Sequence, residues 1–436
     1  MSEAKGNLAS ATAASEADRQ EQQNIVTLIL HQICFRTAWI FKTESVMMPA
    51  FLDSISGAGW IRGLLPPLNR FGQSLAPLLL SDRLSLAPLK SRWLSRATML
   101  MSLPFLAVGG FLLFTDQAGT PLVIFFLTSY LLFFCLNGVN QAAFNTIQGK
   151  LIQPQRRGRL MAVAGYIGSP TAVLMAWLLL RRWTESDPPK FSYIFLFTGC
   201  VFLVAGFAAW RLKERPDPEQ QKEALHLRRR LAEARLHLRH DPHLRRLCLL
   251  AAVFVCSQLL FPHYQRLGRS AKGFEGQMLM IWVIAQNLSA AAFSWFSGWL
   301  ADRHGTRSSL RWLAFLAMFA PAAALLIHDQ LSAAWYWLSY VLLGAVPVCF
   351  RMFLNYSLEL TDRRYHPIYV STVVLCMAPP IVFSPLIGEW VERAGYVAPF
   401  SAITVLVLVA WVMTLRIVEP RKLGRSHAEP LAGTDD

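Results

Sequence analysis

The stretch Gly298-Trp299-Leu300-Ala301-Asp302-Arg303-His304-Gly305-Thr306-Arg307-Ser308-Ser309-Leu310 decides the fold class. Asp302, Arg303, His304 and Arg307 crowd into a tight turn, and a long apolar run lies on either side of it. Each run is long enough to cross a bilayer, for which a helix needs roughly 20 mostly apolar residues. A charged turn this short between two such runs belongs to a polytopic membrane protein.

The rest of the chain agrees. Hydrophobic residues make up 54% of the 436 and charged residues 16%, and mean hydropathy is +0.36, unlike a soluble chain of this length. Twelve apolar spans are expected near 25–46, 57–80, 97–115, 120–147, 160–180, 191–211, 247–265, 276–300, 312–327, 331–357, 368–390 and 397–415. Lipid offers backbone groups no water, so these spans should be helices. The expected fold is an all-α polytopic membrane protein, its helices in two pseudo-symmetric six-helix halves.

The formal charge of +15 raises the question of nucleic acid, and its distribution answers it. With alternate loops assigned to opposite sides, about 30 of the 42 Lys and Arg share the side of both tails, and about seven lie opposite. That asymmetry predicts cytoplasmic termini and no nucleic-acid partner. The order along the chain is then a polar cytoplasmic tail (1–23), a six-helix half (24–211), a basic cytoplasmic bridge (212–246), a second six-helix half (247–417) and a cytoplasmic tail (418–436). The first tail lacks the apolar core of a signal peptide, so the first span should direct insertion. In the bridge, Leu227, Leu231 and Leu238 recur at helical spacing with Arg228, Arg229, Arg230, Arg235 and Arg239 on other faces. Such a helix either lies on an anionic leaflet or is a solvated connector, and spacing does not choose. His226, His237, His240 and His243 lack cysteines at ligand spacing, and the seven cysteines form no Cys-x-x-Cys pair, so no metal and no cofactor are expected. Trp60, Trp93, Trp183, Trp210, Trp299 and Trp390 fall near span ends, as an interfacial belt would.

The chain also repeats itself. Leu80-Ser81-Asp82-Arg83 follows the second span as Leu300-Ala301-Asp302-Arg303 follows the eighth, and Pro154 to Arg159 follows the fourth as Thr361 to Arg364 follows the tenth. Duplicated halves are typical of transporters. The loop resembles the signature of the major facilitator superfamily, Gly-x-Leu-Ala-Asp-Arg-x-Gly-Arg-Lys/Arg-x-x-Leu. Gly298, Leu300, Ala301, Asp302, Arg303, Gly305, Arg307 and Leu310 fit, and Thr306 stands where arginine is usual. The resemblance extends over roughly 24 to 417. It implies a secondary transporter with Asp82, Arg83, Gly298, Asp302, Arg303, Gly305 and Arg307 as a conformational latch, and with the first, fourth, seventh and tenth spans lining the solute path. The first-half loop departs from the pattern: it lacks both glycines, and Leu84 to Pro88 replaces the tight turn. Physically, Asp302 is expected at a helix N-terminus, Gly298 at a close helix approach, Gly305 in a left-handed turn, and Arg303 and Arg307 on carboxylates across the halves.

Buried polar groups supply the solute candidates. Arg36 lies roughly 18 Å along the first span if that span starts near Asn24. A charge at that depth costs at least about 2.5–3.5 kcal/mol on insertion scales and usually faces a wet cavity. Arg70 sits similarly in the second span beside Arg62, Asn69 and Gln73. The fourth span carries Asn137, Asn140, Gln141, Asn145 and Gln148, and Asn137, Gln141 and Gln148 fall within about 40° on a helical wheel. Arg351 shares a face of the tenth span with Asn355 and Glu359. Glu44 either titrates, as His31 could, in a carrier coupled to a proton or ion, or pairs with Arg62 or Lys42. Interhelical hydrogen bonding is the competing use of the amides.

These features predict a transporter rather than an enzyme, in a cell (inner or plasma) membrane, with a small-molecule solute and membrane lipids as partners. No phosphate-binding loop of the Gly-x-x-x-x-Gly-Lys-Ser/Thr type is present, so direct ATP drive is not expected. Arginines and amides favour a polar or anionic organic solute. The alternatives are an exporter of lipophilic drugs or lipids and a non-transporting sensor of the same fold.

Overall fold

The computed structural model describes the backbone of residues 2–115, 119–186, 188–216, 227–362 and 364–422. The side chains of 2–15, 17, 78, 81, 82, 85, 227–231 and 422 lie outside the described set, as do bridge residues 217–226 and the tail beyond 422. Every regular element among the described residues is a helix. In chain order they are α1 (Ser2–Phe41), α2 (Met47–Ile55), α3 (Gly59–Arg62), α4 (Leu65–Leu86), α5 (Lys90–Phe114), α6 (Thr120–Leu151), α7 (Pro154–Met175) and α8 (Arg181–Thr184). Then come α9 (Phe191–Trp210), α10 (Leu227–His240), α11 (Pro242–Val255), α12 (Phe261–Arg269), α13 (Met278–His304) and α14 (Thr306–Gln330). The last are α15 (Trp337–Leu343), α16 (Ala345–Glu359), α17 (His366–Ile381), α18 (Ser384–Ala394) and α19 (Val397–Thr414). Proline occupies the first turn of α6, α7, α11, α17 and α18, where its missing N–H costs no hydrogen bond.

Eleven helical stretches among the described residues are long and apolar enough to cross a membrane. The twelfth expected span is α4, 22 residues long but diluted by Asn69, Arg70 and Gln73. The fold is the expected all-α array of twelve spans in two halves. Four features differ from the sequence reading. The first span ends at Phe41, and the chain turns at 42–46 before α2. The polar tail before it is helical and continuous with α1. The seventh span is interrupted by a 3-10 segment, Cys256–Leu260, and the eleventh breaks after Pro379 and Pro380, since proline withholds a helical hydrogen bond.

The chain divides into two compact units, Met1–Lys42 with Leu68–Ala224, and Thr43–Pro67 with Leu225–Asp436. The division does not follow chain order: residues 43–67, with α2 and α3, pack as part of the second unit. In the first unit α5 packs along α9, and α1 packs against α9 and α7. A Cβ at Gly199 would meet Leu106, and one at Gly206 would meet Met99, so glycine lets these backbones approach closely. Ser95 Oγ then donates to the Gly206 carbonyl at 2.8 Å. Lipid tails are as apolar as the helices, so close packing and such bonds hold helices together where hydrophobic exclusion cannot. In the second unit α14 packs on α19, α11 on α17, and α3 on α18. There Gly59 and Gly388 face each other so closely that neither position has room for a side chain. Large apolar side chains such as Leu326, Leu386 and Trp295 point outward, as a lipid-facing surface requires.

Candidate functional site: buried charges and helix caps

Arg36 is half-buried on α1, with its Cδ against Gly168 of α7. Its Nε is buried, and the side chain has no hydrogen-bond or ion-pair partner among the described residues. His31, Phe35 and Trp39 occupy the other side of α1. There His31 stacks on Phe144 at 6.0 Å, and its Nε2 lies 3.2 Å from Thr98 Oγ1. Thr98 also accepts from Asn140 Nδ2. Asn140 therefore works as interhelical glue. Asn137 is buried with its Oδ1 unpartnered, while Gln141 and Asn145 are exposed one turn apart. An amide exposed in mid-span pays less facing water than facing hydrocarbon. Arg70 is half-buried on α4, where Gln73 donates to Asn69.

In the second unit Arg351 Nη2 donates to Ser294 Oγ at 2.7 Å, and Asn355 is exposed on the same helix. Glu44 lies half-buried in the turn after α1. The pairing expected between Glu44 and Arg62 is not made. Arg62, 3% exposed, bonds to Asp53 and to the Gly57 carbonyl at 2.7 Å instead, because the short α2–α3 connection folds Asp53 back onto it. Lys42 is buried, its Nζ 3.4 Å from the Trp39 ring centroid and 4.3 Å from that of Phe134. Ser45 donates to Gln286, and Tyr340 OH donates to the Ser45 carbonyl at 3.2 Å, fastening the 43–67 segment within its unit.

The signature loop departs from expectation at two residues. Gly298 has open space where a Cβ would stand, so no close helix approach occurs there; the crowded glycine nearby is Gly344, against Ser289. Asp302 is exposed, and the carboxylate found on the α14 N-terminus is that of Glu419. Glu419 arrives from beyond α19, a distance in sequence that the loop pattern cannot reveal. Gly305 has φ 88°, the left-handed region, and a Cβ there would strike the Glu419 carboxylate. Arg307 donates from Nη2 to the Leu415 carbonyl at 2.8 Å, and Arg303 lies 4.7 Å over the Trp299 ring. Both contacts lie inside the second unit. Arg83 is exposed, and the side chain of Asp82 lies outside the described residues.

The first unit holds a counterpart to Glu419. Glu214, just beyond α9, accepts from the Ser91 N–H at 2.6 Å on the first turn of α5 and from Lys150 Nζ at 2.7 Å. Neither helix supplies its own capping side chain, since Leu89 and Gly305 stand at the cap positions. A distant glutamate satisfies the first amides and faces the positive end of the helix dipole. A sequence signal existed: Arg211-Leu212-Lys213-Glu214 and Arg416-Ile417-Val418-Glu419 follow the sixth and twelfth spans. The first unit adds further ties. Asn24 and Lys213 exchange two bonds of 2.9 Å, and Arg156 pairs with Asp18 at 2.7 Å and Glu21 at 3.2 Å.

Comparison with known proteins places this geometry. The family model described as Major Facilitator Superfamily matches residues 84–365. No curated protein matches. Among solved structures, a mutant of the nucleoside transporter NupG aligns with a TM-score of 0.69 at 9% identity, covering 90% of this chain and 99% of that one. A D-xylose-proton symporter aligns with 0.67 at 13%, covering 91% and 98%. The peptide transporter POT in complex with sulfate aligns with 0.63 at 14%, covering 91% and 95%. At these identities the likeness is one of fold.

Proposed function

The chain belongs to the major facilitator superfamily, and from that premise we propose that it carries a small anionic organic solute across a cell membrane by alternating access. The observation that carries the substrate class is Arg36, a half-buried guanidinium within the first span and with no counter-charge among the described residues. An ionised group at that depth is costly unless something compensates it. A solute carboxylate or phosphate would do so through paired N–H donors. Gln141 and Asn145 on α6 are further polar candidates in the same unit as Arg36, and Arg351 and Asn355 on α16 are candidates in the second unit. Residues 298–310 act as the conformational latch, and both termini and the bridge face the cytoplasm.

Ligand-induced thermal shifts over a panel of anionic and neutral metabolites test the assignment. The wild type is expected to be stabilised by at least one anionic class, and folded Arg36→Gln to lose that response, by tenfold or more in affinity (about 1.4 kcal/mol). Unchanged affinity in a folded Arg36→Gln variant refutes the anion site.

A further inference from the structure

The bridge helix α10 is seated by its C-terminal half. Ala234 is buried, and the His237 ring lies 5.6 Å from the Tyr365 ring and 5.5 Å from that of Tyr369. Asp241, between α10 and α11, accepts from the N–H groups of His243 and Leu244 at 2.7 and 3.1 Å. Its other oxygen accepts from Tyr369 OH at 2.7 Å. These contacts fix the rotation of α10 and its junction with α11. The faces left outward are therefore determined by packing, not by an average over a loose connector.

On α10 the outward arc holds Arg235, Leu236 and Arg239, all exposed. On α11 it holds Arg245, Arg246 and Leu249, also exposed. Leu249 lies within the apolar span Pro242–Arg269, so its exposed side chain marks the lipid-facing stripe. Arg245 stands one turn earlier on that stripe, about 6 Å nearer the helix start. The apolar stripe of the span thus passes into a basic one and continues onto α10, where Leu236 lies among the arginines. Between residues 232 and 249 the acids are Glu233 and Asp241; both are half-buried, and Asp241 is engaged as the cap. Four exposed arginines beside an exposed leucine on a spanning helix match one partner in both charge and apolarity.

We propose that the face formed by Arg235, Leu236, Arg239, Arg245, Arg246 and Leu249 binds an acidic phospholipid, its phosphate on the arginines and its upper acyl chain along Leu249 and Leu236. Guanidinium forks match phosphate oxygens. Basic clusters beside a spanning helix attract anionic headgroups. The inference rests on the membrane placement of the fold and not on the solute assignment.

The test uses the purified full chain in nanodiscs of phosphatidylcholine containing phosphatidylglycerol, with retained lipid counted by native mass spectrometry after detergent extraction. The wild type is expected to keep phosphatidylglycerol over phosphatidylcholine, and to lose the preference at high salt. Arg235→Gln with Arg239→Gln should reduce retention, by about fivefold per arginine neutralised, and adding Arg245→Gln with Arg246→Gln should abolish the preference. Arg181→Gln with Arg182→Gln, outside this face, should retain lipid as the wild type does. Thermal unfolding in pure phosphatidylcholine confirms that each variant folds. Nanodiscs expose both faces of the bilayer, so a reversed orientation would leave retention intact while a wrong surface would abolish the variants' effect. Wild-type retention in the folded quadruple variant overturns the proposal. So does equal displacement of the lipid by millimolar inorganic phosphate, which would make this a site for soluble phosphate.

Discussion

Glu214 and Glu419 hold matching places in the two halves, each beyond the last span of its half and each on the first turn of that half's third span. Their surroundings drive them in opposite directions. Burial pushes the Glu214 carboxyl upward, but the Lys150 ammonium and the Ser91 N–H outweigh it and hold the group below the usual carboxylate range. Burial also pushes up Glu419; the Arg307 N–H pulls the other way, Glu359 adds repulsion, and the net shift is upward. One Glu419 oxygen, Oε1, is buried without a partner. Arg421, which could neutralise the pair, lies 3.6 Å from Glu359. The duplicated fold reproduces the cap, and charge compensation is set separately in each half. The first corner is a closed ion pair; the second keeps an acid with room for a proton.

Gly305→Leu gives the largest expected effect. The position needs φ 88°, and a side chain would displace Glu419 from the α14 N-terminus. Backbone strain of about 1–3 kcal/mol adds to the lost cap. Transport should fall sharply, and thermal unfolding should drop by several degrees. Leu89, at the same place in the first half, has φ −122°, which any residue adopts, so Leu89→Gly should cost far less. Similar losses in both variants would erase the difference between the corners.

Glu214→Ala is expected to come next, at about 1.5–3 kcal/mol, the range for a hydrogen bond to a charged group. It strands Lys150 and the Ser91 N–H together. Glu419→Ala should cost less, because removing it also relieves repulsion from Glu359. Denaturation of the two variants side by side measures the gap, and a larger loss for Glu419→Ala would reverse the comparison.

The smallest effect lies in pH dependence. Glu214, held low in the fold, contributes stability above the ordinary carboxyl range, and that contribution disappears as pH falls through its folded value. Glu419, held high, favours the protonated form; its contribution is present at acid pH and lost as pH rises through its folded value. Glu419→Gln should therefore remove a fall in stability on raising the pH from about 4 to 7, and Glu214→Gln should remove a loss on the acid side. Stability curves across that range decide it, and parallel curves for the two variants would show that the carboxyls titrate alike.

Much of the architecture was legible beforehand. Apolar run length predicted the spans, and the loop at 298–310 pointed to the family because its residue types recur in fixed order. Arg36 was readable as a charge within an apolar span, and the structure leaves it half-buried. The misread positions share one cause. Asp302 was assigned to a helix terminus that Glu419 occupies from more than a hundred residues away, and Arg62, one of the partners left open for Glu44, is held by Asp53. Gly298 was expected at a helix contact because glycine permits one, but permission does not supply a neighbour.

The sequence by itself determined that this chain crosses a membrane many times, that its helices form two related halves, and that a charge lies within the first span. Those outcomes follow from desolvation, which acts on each residue according to its own chemistry and that of its immediate neighbours. Tertiary structure alone decided which carboxylate caps which helix, that residues 43–67 pack with the second unit, and which face of α10 points outward. Such choices depend on distances between residues far apart in the chain. They are set by the packing of whole helices, where a bond of 2.6 Å such as that from Ser91 to Glu214 joins residues 123 positions apart.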